Sequence, residues 1–153
     1  MGRVVAIGIT PKGGEPTVSV QEVRAVAGRG LEGDRYFTNE GTFSETPGGG
    51  RAVTLIESEA IDAVARDCGY KMQYKDSRRN IVTRGVALND LVGKEFRVGD
   101  VRMLGVRLCE PCNVSFPDVN VKQALVHRGG LRAEILNDGR ICVGDAVRVG
   151  AFN

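Results

Sequence analysis

Four cysteines and one histidine carry most of the chemical capacity of this chain. Cys109 and Cys112 frame the run Cys109-Glu110-Pro111-Cys112, and His127 and Cys142 follow. A thiolate is both a nucleophile and a soft metal ligand, and nearby positive charge with solvent access favours it. Cys112 follows an apolar stretch, opens the irregular run PCNVSF and lies on no apolar stripe. Arg107, Arg128 and Arg132 would favour its thiolate if folding gathers them around it. The same pattern also suits a buried structural thiol, a common state of free cysteine.

Cys109 has three readings. A dithiol redox pair needs its first cysteine exposed at a helix N-terminus, whereas this motif ends a strand-like segment. Cys109 also suits a resolving partner for a persulfide or disulfide on Cys112, or a passive core residue. Cys109, Cys112, His127 and Cys142 together hold the inventory of a tetrahedral zinc site. Against zinc, the second pair lacks the close spacing of zinc modules, and Cys142 lies within the core-like run Ile141-Cys142-Val143. His127 suits a helix end, where a protonated imidazole meets the negative dipole pole, and equally an active-site acid.

The elements that must position these residues read mainly as strands. Arg3–Ile9 is short and β-branched, and Val18–Val26 alternates apolar with polar. Gly28–Arg51 is glycine-rich with few large apolar residues, and is expected to be one long loop. Ala52–Ile56 reads as a buried strand. A helix follows, with Ile61, Val64, Ala65 and Cys68 on one apolar stripe and Gly69 placed to stop it. Asn80–Thr83 reads as a strand, and Gly99-Asp100 predicts a hairpin between Glu95–Val98 and Val101–Leu108. Val119–Val126 suits a short helix. Leu131–Leu136, Ile141–Val143 and Ala146–Val149 close the sequence as strands around a second Gly-Asp, Gly144-Asp145. Many short strands and few helices predict a barrel or sandwich, as a single domain over residues 1–153.

Composition narrows the functional classes. Apolar residues make up 42% and charged residues 26%, ordinary for a globular chain, and the formal net charge is +2. Arg24, Arg29, Arg35, Arg78 and Arg79 are basic, but no aromatic ladder accompanies them and tryptophan is absent, so nucleic acid is not the expected partner. No run is long and apolar enough to cross a bilayer, and Met1–Thr10 lacks the pattern of a signal peptide. Four cysteines are too few for a disulfide scaffold, so a cytoplasmic location with reduced thiols is expected.

Four blocks add a more specific signal. They are Gly30–Phe37 (GLEGDRYF), Arg51–Ala60 (RAVTLIESEA), Arg78–Gly85 (RRNIVTRG), and a last one. The last comprises Leu108–Cys112 (LCEPC), His127–Ala133 (HRGGLRA) and Gly139–Asp145 (GRICVGD). In this order they resemble the MOSC family, the C-terminal domain of molybdenum-cofactor sulfurases. The resemblance implies a mainly β, barrel-like fold with a few short helices. It also implies that Cys112 is the functional cysteine, as a persulfide carrier or as a ligand to molybdenum in a pterin cofactor. Family members include sulfurase domains and reductases of N-hydroxylated compounds.

A pterin cofactor carries phosphate, so its site needs fixed cations and amide donors. Arg35 and Asn80 fall on family motif positions, and Asp34 would orient Arg35 or hold a turn. Arg79, Arg128 and Arg132 lie in or beside matched blocks. Two departures stand out: Tyr36 occupies a position often held by histidine, and no pyridoxal-phosphate domain is present to mobilise sulfur. Sulfur would therefore come from a donor protein. The reductase reading needs a redox partner, since the sequence holds no flavin, haem or nicotinamide motif, and a small-molecule substrate. The competing reading is a non-catalytic binding module of the same fold. Oligomeric state is left open by the sequence.

Overall fold

The computed structural model describes residues 2–11, 16–34, 52–69, 72–109 and 128–150. Arg35, Cys112, His127 and the helix expected at Val119–Val126 lie outside the described residues. In chain order the strands are β1 (Gly2–Ile9), β2 (Val18–Val20), β3 (Glu22–Val26), β4 (Gly30–Leu31), β5 (Val53–Glu57) and β6 (Ile81–Arg84). They continue as β7 (Glu95–Val98), β8 (Val101–Leu108), β9 (Leu131–Ile135), β10 (Gly139–Cys142) and β11 (Ala146–Val149). One α-helix, α1 (Ser58–Cys68), joins β5 to β6, and short 3-10 turns occupy Tyr74–Ser77 and Leu88–Leu91.

Seven strands close into a barrel in the order β11-β7-β8-β9-β5-β6-β1, with β1 pairing back onto β11 and β2 added beside β1. Closure removes the exposed edges that an open sheet of this size would present. Most pairs are antiparallel; β5 and β6 run parallel, as a strand–helix–strand crossover requires. A three-stranded sheet, β10-β3-β4, packs Val23, Ala25, Leu31 and Ile141 into the same core as the barrel interior.

Alternation explains which side chains fill the barrel. In β7 and β8, Phe96, Val98, Val101 and Met103 are fully buried, while Arg97, Arg102 and Leu104 between them are not. β5 breaks this rule because it is covered on both sides. Val53 and Leu55 join the interior core, and Ile56 packs outward with Val82 against Ala60, Ile61 and Val64 of α1. Gly69 ends the helix in the left-handed region at φ 69°, donating its N–H to Ala65 O at 3.0 Å.

Several boundaries differ from the sequence reading. The single strand expected over Val18–Val26 is two, because β2 pairs with β1 whereas β3 pairs with β10 and β4 in the other sheet. The expected loop from Gly28 begins as structure: Leu31 and Gly30 pair with Ala25 and Val26, burying Leu31 and Asp34. On α1, Ile61 and Val64 are buried as the stripe predicts, but Ala65 is exposed and Ala60 and Ala63 are buried instead. Ala60, Ile61 and Val64 pack down over Ile56 and Val82. Gly99-Asp100 does turn β7 into β8. Gly144-Asp145 forms no hairpin, since β10 and β11 belong to different sheets. Among the described residues no helix is long and apolar enough to cross a membrane.

Phe96 is among the largest side chains fully buried in the barrel. Replacing it with alanine leaves a cavity its rigid strand neighbours cannot collapse into, and is expected to cost about 3–5 kcal/mol. Urea unfolding of Phe96→Ala against the parent checks this.

Candidate functional site

The chain reaches the site through a strained turn. Arg78 sits in the left-handed region at φ 59° and caps the 3-10 turn Tyr74–Ser77, donating its N–H to Lys75 O at 3.1 Å. The reversal turns the next two residues inward, so that Arg79 and Asn80 are 5% and 4% exposed. Both were expected to bind cofactor, and both are packed at the head of β6.

Asn80 ties four parts of the chain together. Its Oδ1 accepts from Thr54 N at 3.0 Å and from Thr54 Oγ1 at 3.2 Å. Its Nδ2 donates to Gly8 O at 3.0 Å and to Asp34 Oδ1 at 3.3 Å. Backbone partners on both sides fix the orientation of the amide. Asp34 Oδ1 also accepts from Thr10 N at 2.8 Å, and the Thr10 hydroxyl meets that of Thr17 at 2.7 Å. With two hydrogens and two lone pairs engaged, the Asn80 carboxamide acts as a joint between β1, β5 and β6 and the turn after β4. The structure thus gives Asn80 a framework role that the sequence did not signal, and Asp34 the turn-holding role that is one of its two readings.

Arg79 reaches the other way. Its Nε donates to Gly129 O at 2.7 Å and its Nη2 to Cys109 O at 3.4 Å. Those carbonyls belong to the two flanks of residues 110–127, the segment that holds Cys112. Cys109 N donates to Gly130 O at 2.7 Å, which joins the flanks directly. Gly130 has φ 116°, and a Cβ there would collide with Leu55 O, so only glycine lets the flank lie against β5. Cys109 itself is 1% exposed. Burial answers one of its three readings: it is a core residue at the end of β8.

Further guanidinium groups stand nearby. Arg107 and Arg132 are direct partners across β8 and β9, and Arg132 is the partner of Thr54 across β9 and β5. The row Arg107–Arg132–Thr54 therefore adjoins Asn80. Arg128, half-exposed, has Nη1 3.7 Å from Asp67 Oδ2 on α1. Arg79, Arg107, Arg128 and Arg132 thus cluster by chain and register around the flanks of one segment.

Cys142 lies elsewhere, at the end of β10. Its thiol sits 3.8 Å from Glu22 Oε2, and its N–H donates to Asp145 Oδ2 at 2.8 Å. Partial burial pushes the thiol pKa up, and the Asp145 and Glu22 carboxylates add to the shift. Among the described residues no group of three or more histidine, cysteine or acidic side chains is arranged to hold a metal. The zinc reading gains no support.

The sequence matches the family model of the MOSC domain over residues 32–148. The chain belongs to the MOSC domain family. This MOSC domain shares its fold with the YuaD protein from Bacillus subtilis, at a TM-score of 0.79 and 15% identity, covering 100% of this chain and 98% of that one. It is also similar to YiiM from Geobacillus stearothermophilus, at a TM-score of 0.75 and 15% identity, covering 99% of this chain and 76% of that one. YiiM from Escherichia coli gives a TM-score of 0.68 at 19% identity, with 99% and 71% covered. No curated protein matches this chain in sequence.

Two outcomes follow from these contacts. Asn80→Ala leaves Thr54 N, Gly8 O and Asp34 without their buried partner, and is expected to cost more than about 2 kcal/mol in denaturant unfolding. Cys142, with its raised pKa, is expected to react with iodoacetamide at pH 8 more slowly than a free model thiol, and to speed up as pH rises further. Mass spectrometry of the labelled peptides measures this, with Cys109 unlabelled in the folded protein.

Proposed function

We propose that this MOSC domain is a molybdenum-cofactor-associated thiol domain in which Cys112 does the chemistry, as a carrier of sulfane sulfur or as a ligand to molybdenum. One observation carries the reading: Arg79 is bonded to Cys109 O and Gly129 O, on both flanks of the segment that holds Cys112, with Arg107, Arg128 and Arg132 in the adjoining positions. Guanidinium groups there lower the cost of a thiolate and suit an anionic ligand.

The donor set fits a phosphate-bearing pterin. Arg107, Arg128 and Arg132 would hold its phosphate, with Arg35 a further cation beside the anchored Asp34, and Cys112 would meet the metal. When bound, the cofactor would supply a two-electron centre for reducing an N–O bond, with electrons from a redox partner protein. Asn80 and Asp34 keep β1, β5 and β6 in register beneath those cations. Arg79 holds the flanks of the Cys112 segment at a fixed separation. In the carrier role, the Cys112 thiolate attacks the outer sulfur of a donor persulfide. The donor's S–S bond breaks, its thiolate leaves, and Cys112 is left as the persulfide.

Cys112→Ser separates this proposal from a non-catalytic module of the same fold. Both forms are purified from a host that makes the cofactor, then assayed for molybdenum, pterin and cyanide-labile sulfur. The expected result is metal with pterin, or labile sulfur, in the parent and at least a tenfold loss in the variant. If Cys112→Ser leaves all three unchanged, the proposal is wrong.

A further inference from the structure

Away from the Cys112 flanks, the outer face of β11, β7 and β8 carries an arrangement that the proposed site does not use. Arg148 is the direct partner of Arg97 across β11 and β7, and Arg97 is the direct partner of Arg102 across β7 and β8. Their neighbours Val147, Phe96, Val98, Val101 and Met103 point into the core, so the three arginines point outward in one row. Adjacent strands lie about 4.8 Å apart, and like charges directly opposite each other destabilise a sheet. These three strands contain four arginines, with Arg107 the fourth, and a single carboxylate, Glu95.

Glu95 pairs with only one of the three cations. Its Oε1 pairs with Arg102 Nη2 at 2.6 Å, while its Oε2 and Arg97 Nε are shielded from solvent without a hydrogen-bond partner. Leu104 and Leu136 stand exposed beside the row at 37% and 38%, and Val149, the partner of Phe96 on the opposite face, is 50% exposed at the end of β11. A groove of about 580 Å³ opens beside Arg148 and Val149, lined also by Val147, Val86 and Gly2. A Cβ on Gly2 would stand 2.8 Å from Val86 Cβ, so glycine lets Val86 pack against the start of β1 at the groove wall. Arginine is enriched at protein-binding surfaces and among their hot spots.

We propose that this face docks an extended acidic segment of a partner protein, with an aliphatic or aromatic side chain in the groove and carboxylates along Arg148, Arg97 and Arg102. Charge complementarity selects an acidic occupant, and a second copy of this face would add like charge to like. The outward side chains of β7, β8 and β11 include no aromatic ring for stacking, which disfavours single-stranded nucleic acid. Arg102 and Cys109 lie at opposite ends of β8, roughly 23 Å apart at about 3.3 Å per residue. A partner held on the arginine row leaves the Cys112 flanks open.

The probe is a fluorescein-labelled peptide of alternating glutamate and leucine, titrated with the full chain by anisotropy at low and physiological salt. Arg97→Thr/Arg148→Thr is expected to weaken binding at least tenfold and to flatten its salt dependence, with no fall in the thermal midpoint because repulsion is relieved. Val149→Ser is expected to weaken it severalfold with the salt slope unchanged. Arg24→Thr/Arg29→Thr, off these three strands, is expected to leave it unchanged. Equal affinity of the Arg97/Arg148 variant and the parent would overturn the proposal, as would an equal loss in the Arg24/Arg29 variant. Tighter binding of oligothymidylate than of the peptide would assign the face to nucleic acid instead. A tenfold gain on deleting residues 151–153 would assign the groove to the chain's own end. Cys112→Ser is expected to bind the peptide normally, so the result stands apart from the fate of the thiol.

Discussion

The fold depends on one buried amide. Asn80 joins Gly8, Asp34 and Thr54, which come from three separate stretches of chain. Among the barrel strands only β7 and β8 are joined by a tight hairpin; the other neighbours are distant in sequence, and β5 and β6, parallel through a helix, need an internal constraint on register. The carboxamide supplies that constraint because it can donate and accept at once. In an apolar setting each of its bonds is costly to lose, which makes the joint specific to one arrangement.

Arg79, the preceding residue, uses the same turn for a different purpose. The left-handed Arg78 reverses the chain so that one side chain faces the framework and its neighbour faces the Cys109 and Gly129 carbonyls. Framework and site are therefore coupled by adjacency. The parts that hold the barrel and the parts that hold the flanks of 110–127 share one short turn. Arg107 and Arg132 stand beside them by register and Arg128 by chain, in a protein whose formal charge is only +2.

Charge on this barrel is also segregated by strand. β5 and β6 hide their outer surface under α1 through Ile56 and Val82, and so carry apolar residues on both sides. β7, β8 and β11 place arginines on their outer surface. The carboxylates near the helix behave differently again. Burial raises the Glu57 pKa, partly offset by the Leu88 N–H it accepts. For Glu59, burial is outweighed by hydrogen bonds from Gly85 N–H and Ser58 and by the Arg84 charge, so its pKa falls. A depressed carboxylate pKa stabilises the fold at neutral pH, and that contribution fades as pH drops through the folded value.

The sequence by itself determined the strand-rich class, the β7–β8 hairpin, the Gly69 helix stop and the family blocks. Each is written in neighbouring residues through alternation, turn chemistry or a short motif. Tertiary structure alone decided the splitting of Val18–Val26 between two sheets and the joint at Asn80, whose partners stand 26, 46 and 72 residues away. It likewise decided the meeting of Arg97, Arg102 and Arg148. The reason is physical: hydrogen-bond partners and cross-strand neighbours are set by pairing register, and register is a property of the closed barrel that no local run of residues contains.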